Sequence, residues 1–245
     1  MNDFIIMEEV KKVFQTFINE ILSDTGDLIH SIYIIGSSLT ADFNPGQSDI
    51  NSIFVVNRAD LTFIKKLAPL GKKYGKKKIA APLIMTPEYI KNSLDVFPIE
   101  FLNIKLLHYC LHGDDLFKNI EINASDLRHQ CERELKVKLL GLQQGYITAA
   151  GDTAVLRDKF FHSFSGYIPL FKGILFLLGN NPPVHNEAVL SEIEKALGLN
   201  MEVFRFVMKS KKERTKLGDY KLNSIFDQYH EAIKKMGDIV NEIKN

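Results

Sequence analysis

Between residues 4 and 23 apolar side chains return every three or four positions, at Val10, Val13, Phe14, Phe17, Ile18, Ile21 and Leu22, with lysine and glutamate between them. That period predicts an amphipathic helix. The pattern then changes. Ser31–Ile35 is a short β-branched run closed by Gly36, and Asp49–Val56 begins with alternation and becomes wholly apolar; both predict buried strands. The intervening SSLTADFNPG permits one or two helical turns before the Asn44-Pro45-Gly46 break. Asp60 is placed to cap a helix running to about Tyr74. Lys78–Met85 predicts a third strand, Thr86-Pro87-Glu88 a helix start, and Pro98–Leu107 a fourth strand, with Gly113-Asp114-Asp115 closing this half.

After Asn123 strand signals cease. Leu127, Cys131, Leu135, Leu139, Leu142 and Tyr146 form a helical stripe over 126–149, stopped at Gly151, and further helices are expected over roughly 153–178, 187–197, 200–210 and 220–243. Strands first and helices afterwards predict an α+β fold: a small mixed-sheet domain over 1–120, then an all-α helical bundle over 121–245.

Composition narrows the setting more than the chemistry. The 245 residues are 45% hydrophobic and 25% charged, with a formal net charge of +1, so any basic patch is local. Two cysteines, Cys110 and Cys131, are too few for a disulfide framework, and a reducing, cytoplasmic setting is expected. The N-terminus has no secretory pattern, and the most apolar stretch, Phe160–Leu178, is interrupted by His162, Ser163, Ser165, Pro169 and Lys172, so no membrane association is expected.

The segment IIGSSLTADFNPGQSDINSIFVV, residues 34–56, carries the candidate chemistry. A strand ending in Gly36-Ser37 allows a tight turn, and amides at the start of the next turn can hold a phosphate. Asp49 opens the following strand, and alternation puts Asn51 on its face. Glu100, on the expected fourth strand, completes a set of side chains able to converge on magnesium bridging a triphosphate.

Gly36-Ser37, then Ser48-Asp49-Ile50-Asn51, then Ile99-Glu100-Phe101 ahead of Leu111–Gly113 resembles the nucleotidyltransferase superfamily of polymerase-beta-like proteins, over residues 31–113. The segment from Phe97 to Phe117 and DLRHQCERELKVKLL also resemble bacterial nucleotidyltransferase-like proteins. The resemblance implies a nucleoside triphosphate, ATP included, held by Gly36, Ser37 and Ser38. It implies Mg2+ on Asp49, Asn51 and Glu100, and Asp49 and Glu100 as catalytic groups. It also implies transfer of a nucleoside monophosphate to a hydroxyl of a small molecule, protein or RNA. The sequence departs from the pattern where the second acid is Asn51, leaving two negative charges instead of three, with Asp42 the nearest spare carboxylate. The expectation is therefore a nucleotidyltransferase with a weakened metal site, its alternative a catalytically impaired nucleotide-binding or antitoxin-like partner-binding protein. A homodimer is left open.

Other clusters have simpler readings. Gly71–Lys78 holds five lysines and reads as a solvated helix end, with phosphate contact as the alternative. His108, Cys110 and His112 alternate as metal ligands can, though a plain strand end suffices. Arg128 and Arg133, with His129 and Glu132, open the first bundle helix; Arg128 is the candidate nucleotide contact. Phe160, Phe161, Phe164, Tyr167, Phe171 and Phe176 are expected in the core, and Lys209–Lys216 as a solvated basic stretch.

Overall fold

The computed structural model describes residues 8–44, 48–163, 166–213 and 219–243. The chain divides into two compact units, one of residues 1–95 and 100–122, the other of residues 96–99 and 123–245.

In the first unit, α1 (Glu8–Thr25) leads into β1 (Ile29–Ile35), a short 3-10 turn (Gly36–Leu39), β2 (Asn51–Val56), α2 (Leu61–Gly75), β3 (Leu83–Met85), α3 (Pro87–Lys91), α4 (Pro98–Leu106) and β4 (His108–Gly113). The strands form one mixed sheet in the order β3-β2-β1-β4. β1 runs antiparallel to both β2 and β4, and β2 runs parallel to β3. Period-two alternation along β1 and β2 feeds two cores. On one face Ile32, Ile34, Phe54 and Val56 pack against Phe14, Phe17 and Ile21 of α1 and Phe63 and Leu67 of α2. On the other, Tyr33, Ile53 and Val55 pack against Ile90, Phe101, Ile104 and Phe117. The cap at Asp60 forms, its carboxylate accepting from Phe63 N at 2.9 Å, and Thr86 caps α3 through Tyr89 N at 3.0 Å.

Two strand expectations change. Pro98–Leu106 is a helix, not a strand. Proline stands at its first position, and Ile99, Phe101, Leu102 and Ile104 are all buried, so the segment is apolar around more than one side. A run buried on more than one side carries no clean period-two signal, and its length of nine residues favours helix. The third strand shrinks to Leu83–Met85, preceded by a single parallel bridge between Ile50 and Ile79.

The second unit contains α5 (Ala124–Ala149), α6 (Thr153–Ser163), α7 (Tyr167–Leu177), α8 (Asn186–Leu197), α9 (Glu202–Glu213) and α10 (Asp219–Glu242). The stretch expected as one helix over 153–178 is two, with Gly166 at φ +85° opening the second. Tyr167, Phe171, Phe204 and Tyr229 make its aromatic centre, with ring centroids 4.7 to 5.5 Å apart. Lys138 lays its ammonium 4.4 Å from the Tyr167 ring, and burial holds that ammonium below the ordinary lysine range. Phe176 is exposed rather than core. The Phe160 and Phe161 side chains, Phe164, Pro45, Gly46 and most of Lys209–Lys216 lie outside the described residues. No described helix is long and apolar enough to cross a membrane.

Gly113 ends β4 at φ +74°, and a Cβ there would lie 1.9 Å from the His30 carbonyl oxygen. Backbone cannot yield as a side-chain tip can, so Gly113→Ala is expected to destabilise by at least about 2 kcal/mol. Thermal unfolding of parent and variant measures this, and an unchanged midpoint contradicts the close approach.

Candidate functional site

The sheet brings the two halves of the motif together. Ile35, the last residue of β1, pairs with Asn51, the first of β2, and on its other side with His108. Gly36 follows at φ +77°, a conformation that favours glycine, with its N–H donating to Leu107 O at 3.0 Å. The Gly36–Leu39 turn therefore leaves the sheet immediately beside Asp49 and Asn51.

The three turn residues expected to hold phosphate are not equivalent. The Gly36 amide is engaged by Leu107. Ser38 is buried, and its hydroxyl donates to Ile35 O at 3.3 Å. Ser37 is the one whose side chain is exposed, while its carbonyl accepts from Thr40 N and Thr40 Oγ1, both at 3.0 Å, which fixes the turn. Asp42, the spare carboxylate, is exposed just beyond, its own N–H donating to Thr40 Oγ1 at 3.2 Å.

Asp49 and Asn51 are both exposed and lie on the face that also carries Ile53 and Val55. Glu100 is exposed on α4, whose Phe101 and Ile104 pack on that same face, so it is no strand residue in register with the motif. The segment that does run beside Asp49–Asn51 is Ile79–Pro82: Ile50 N donates to Lys78 O at 2.7 Å, and Ala80 N to Ile50 O at 3.0 Å. Ile79, Ala80, Ala81 and Pro82 supply no carboxylate. Among the described residues no three His, Cys, Asp or Glu side chains gather as a metal site. The donor set along the strand is thus one carboxylate and one amide, which does not fit a centre of two divalent ions bridged by acids.

Within the lysine run read from the sequence as a solvated helix end, with phosphate contact as the alternative, the residue that reaches the motif is Lys78. Its ammonium stands 3.8 Å from Asp49 Oδ1. Its backbone adopts φ +62° at the end of α2, where Lys78 N donates to Gly75 O at 3.1 Å and Ile79 N to Tyr74 O at 3.3 Å. These are the bonds of a helix end whose left-handed residue is usually glycine. A side chain with a Cβ costs about 1 kcal/mol there. The ion pair returns less than that: both partners are half exposed, at 51% and 55%, and such pairs contribute roughly 0–1 kcal/mol. The signal in the sequence was Lys78 itself, the last lysine of the run and the one adjoining a strand.

The remaining candidates have these contacts within their own units. Arg128 belongs to the second unit, and its guanidinium pairs with Glu132 at 2.8 Å; Lys136 and Arg128 together hold the Glu132 carboxyl below its ordinary range. The His108–Cys110–His112 alternation is broken by an irregularity in β4: Ile32 pairs with His112 but Tyr33 with Cys110, so the two fall on opposite faces. His108 bonds Ile104 O at 2.8 Å and Asp115 Oδ1 at 3.0 Å. Lys73 and Tyr74 both hydrogen-bond Glu20 and hold its carboxyl low, tying α1 to α2. A cleft of roughly 540 Å³ between those helices, lined by Glu20, Asp24, Thr25, Lys66 and Leu70 among others, includes no residue of the motif.

A four-stranded mixed sheet followed by a mostly helical region is an arrangement that this chain shares with solved structures. A solved example is spectinomycin adenyltransferase AAD(9) from Enterococcus faecialis with ATP and spectinomycin. It matches with a TM-score of 0.56 over 91% of this chain and 99% of that one, at 13% identity, a likeness of fold. No protein-family model matches the sequence, and comparison with curated proteins gives no match.

Burial pushes the Cys110 thiol up, and the Asp115 carboxylate adds to the rise. The thiolate is the reactive form, so alkylation by iodoacetamide at mildly alkaline pH is expected to be several-fold slower than for free cysteine, its rate still climbing above the ordinary thiol range. A rate matching free cysteine contradicts this.

Proposed function

We propose that the chain binds a nucleoside triphosphate with its phosphates against the Gly36–Leu39 turn and transfers the nucleoside monophosphate slowly to an acceptor hydroxyl. The observation that carries the reading is the pairing of Ile35 with Asn51, which sets the Gly36–Leu39 turn beside Asp49. The fold it shares with an adenyltransferase solved with ATP and spectinomycin supports ATP as donor and a small molecule as acceptor. Exposed Ser37 offers its hydroxyl to phosphate oxygens. The acceptor oxygen attacks the α-phosphorus, the bond to the bridging oxygen breaks, and pyrophosphate leaves. Asp49, the carboxylate two residues ahead of β2, takes the hydroxyl proton.

One observation favours a second reading, in which nucleotide is bound without transfer. Asn51 is neutral, and Ile79–Pro82 supply no acid, so the charge that forms on the phosphates meets fewer metal-holding groups than the resemblance implies. A single lost electrostatic group lowers a rate by about a hundredfold or more.

Calorimetric titration with each nucleoside triphosphate and Mg2+, coupled to a pyrophosphate-release assay, separates the two. Binding with slow release supports transfer, binding with none supports the second reading, and absence of binding overturns both. Ser37→Ala is expected to weaken ATP binding several-fold. Asn51→Asp is expected to raise Mg2+ affinity and any release rate by at least about tenfold; an unchanged or lower rate contradicts the charge account.

A further inference from the structure

We infer that Lys78 is a phosphate ligand, a built-in cation that takes the place of one of the two metal ions for which this strand lacks the acids. The inference rests on the nucleotide reading of the Gly36–Leu39 turn and adds to it a residue, a charge and a ligand class: a polyphosphate chain.

Three independent features of the chain point to it. The first is position. The Lys78 carbonyl accepts from Ile50 N, so its Cα is held beside the Asp49–Asn51 strand start, and its ammonium reaches to within 3.8 Å of Asp49. The second is backbone conformation. Lys78 occupies the left-handed position of a helix end at φ +62°, where glycine relieves the strain, and the half-exposed pair with Asp49 does not compensate for it. A side chain in a conformation that glycine favours, with no contact that offsets the strain, is where a functional role is to be sought.

The third is charge. Two acids and two divalent ions would present a net positive surface to a triphosphate. Here one strand carboxylate, one amide and one ammonium sum close to zero before any ion enters. The ammonium repels a second divalent ion from Asp49 and offers three donors to phosphate oxygens. Asp49 and the incoming phosphates compete for the same cation, so the ion pair seen here is the arrangement that a polyphosphate opens. Lys72, Lys73, Lys76 and Lys77 add to the positive field along the end of α2, although Lys73 is engaged with Glu20.

The test uses the full chain and two probes, ATP and inorganic tripolyphosphate, titrated calorimetrically in EDTA and in excess MgCl2. It is run on the parent, Lys78→Gly and Lys78→Arg, each with its thermal midpoint. The inference expects the parent to bind tripolyphosphate in EDTA. Lys78→Gly should lose about tenfold in that affinity while its thermal midpoint stays or rises, and Lys78→Arg should stay within about threefold of the parent. If Lys78→Gly binds within twofold of the parent, Lys78 is a surface residue and the inference falls, while the nucleotide reading stands on the parent's binding. If the parent binds only with Mg2+, lysine does not replace a metal, whatever the variants do. A clear drop in the midpoint of Lys78→Gly overturns the strain argument. Failure of the parent to bind either probe in either buffer overturns the inference and the nucleotide reading together.

Discussion

The arrangement depends on one piece of backbone pairing. β1 and β2 are antiparallel neighbours whose ladder ends at Ile35 and Asn51, so the turn after one strand and the entry to the other meet at the same edge of the sheet. A one-residue slip in that register would turn every side chain of β2 over and send Asn51 and Asp49 to the other face. The register is held by burial on both sides, by Ile32, Ile34, Phe54 and Val56 beneath the first two helices and by Tyr33, Ile53 and Val55 beneath α3 and α4. The chemistry proposed at Ser37 and Asp49 therefore rests on apolar packing several residues away.

The same sheet explains why this site differs from a two-metal centre. The parallel neighbour of β2 approaches the motif through Ile79–Pro82, which carries no carboxylate, and Asn51 is neutral. What the edge gains is a lysine, anchored at a helix end by a strained left-handed backbone. One carboxylate, one amide and a neighbouring ammonium make an edge on which the proposed ligand is phosphate held directly by a side-chain cation.

Much of this was legible in the sequence. Periodicity gave α1, α2 and most helices of the second unit to within a few residues, the 153–178 stretch excepted, because their apolar stripes are narrow, and caps such as Asp60 of α2 and Thr86 of α3 are explicit. The α+β class and the Gly36-Ser37 and Asp49-x-Asn51 spacing were also plain. Pro98–Leu106 was misread because a helix buried around most of its circumference loses its period, and with it went Glu100 as a strand acid. The unequal roles of Gly36, Ser37 and Ser38 depend on which groups the neighbouring strand occupies, and Leu107 lies 71 residues further on. Lys78 stood in plain view within a lysine run, but its left-handed backbone and its approach to Asp49 are properties of the folded helix end.

The most direct measurement of the central claim is a crystal structure of the chain soaked with a non-hydrolysable ATP analogue. The account predicts phosphate oxygens within hydrogen-bonding distance of the Ser37 hydroxyl and the Lys78 ammonium, with the Lys78–Asp49 pair opened. An analogue seated elsewhere on the molecule, with Ser37 and Lys78 untouched, would contradict it.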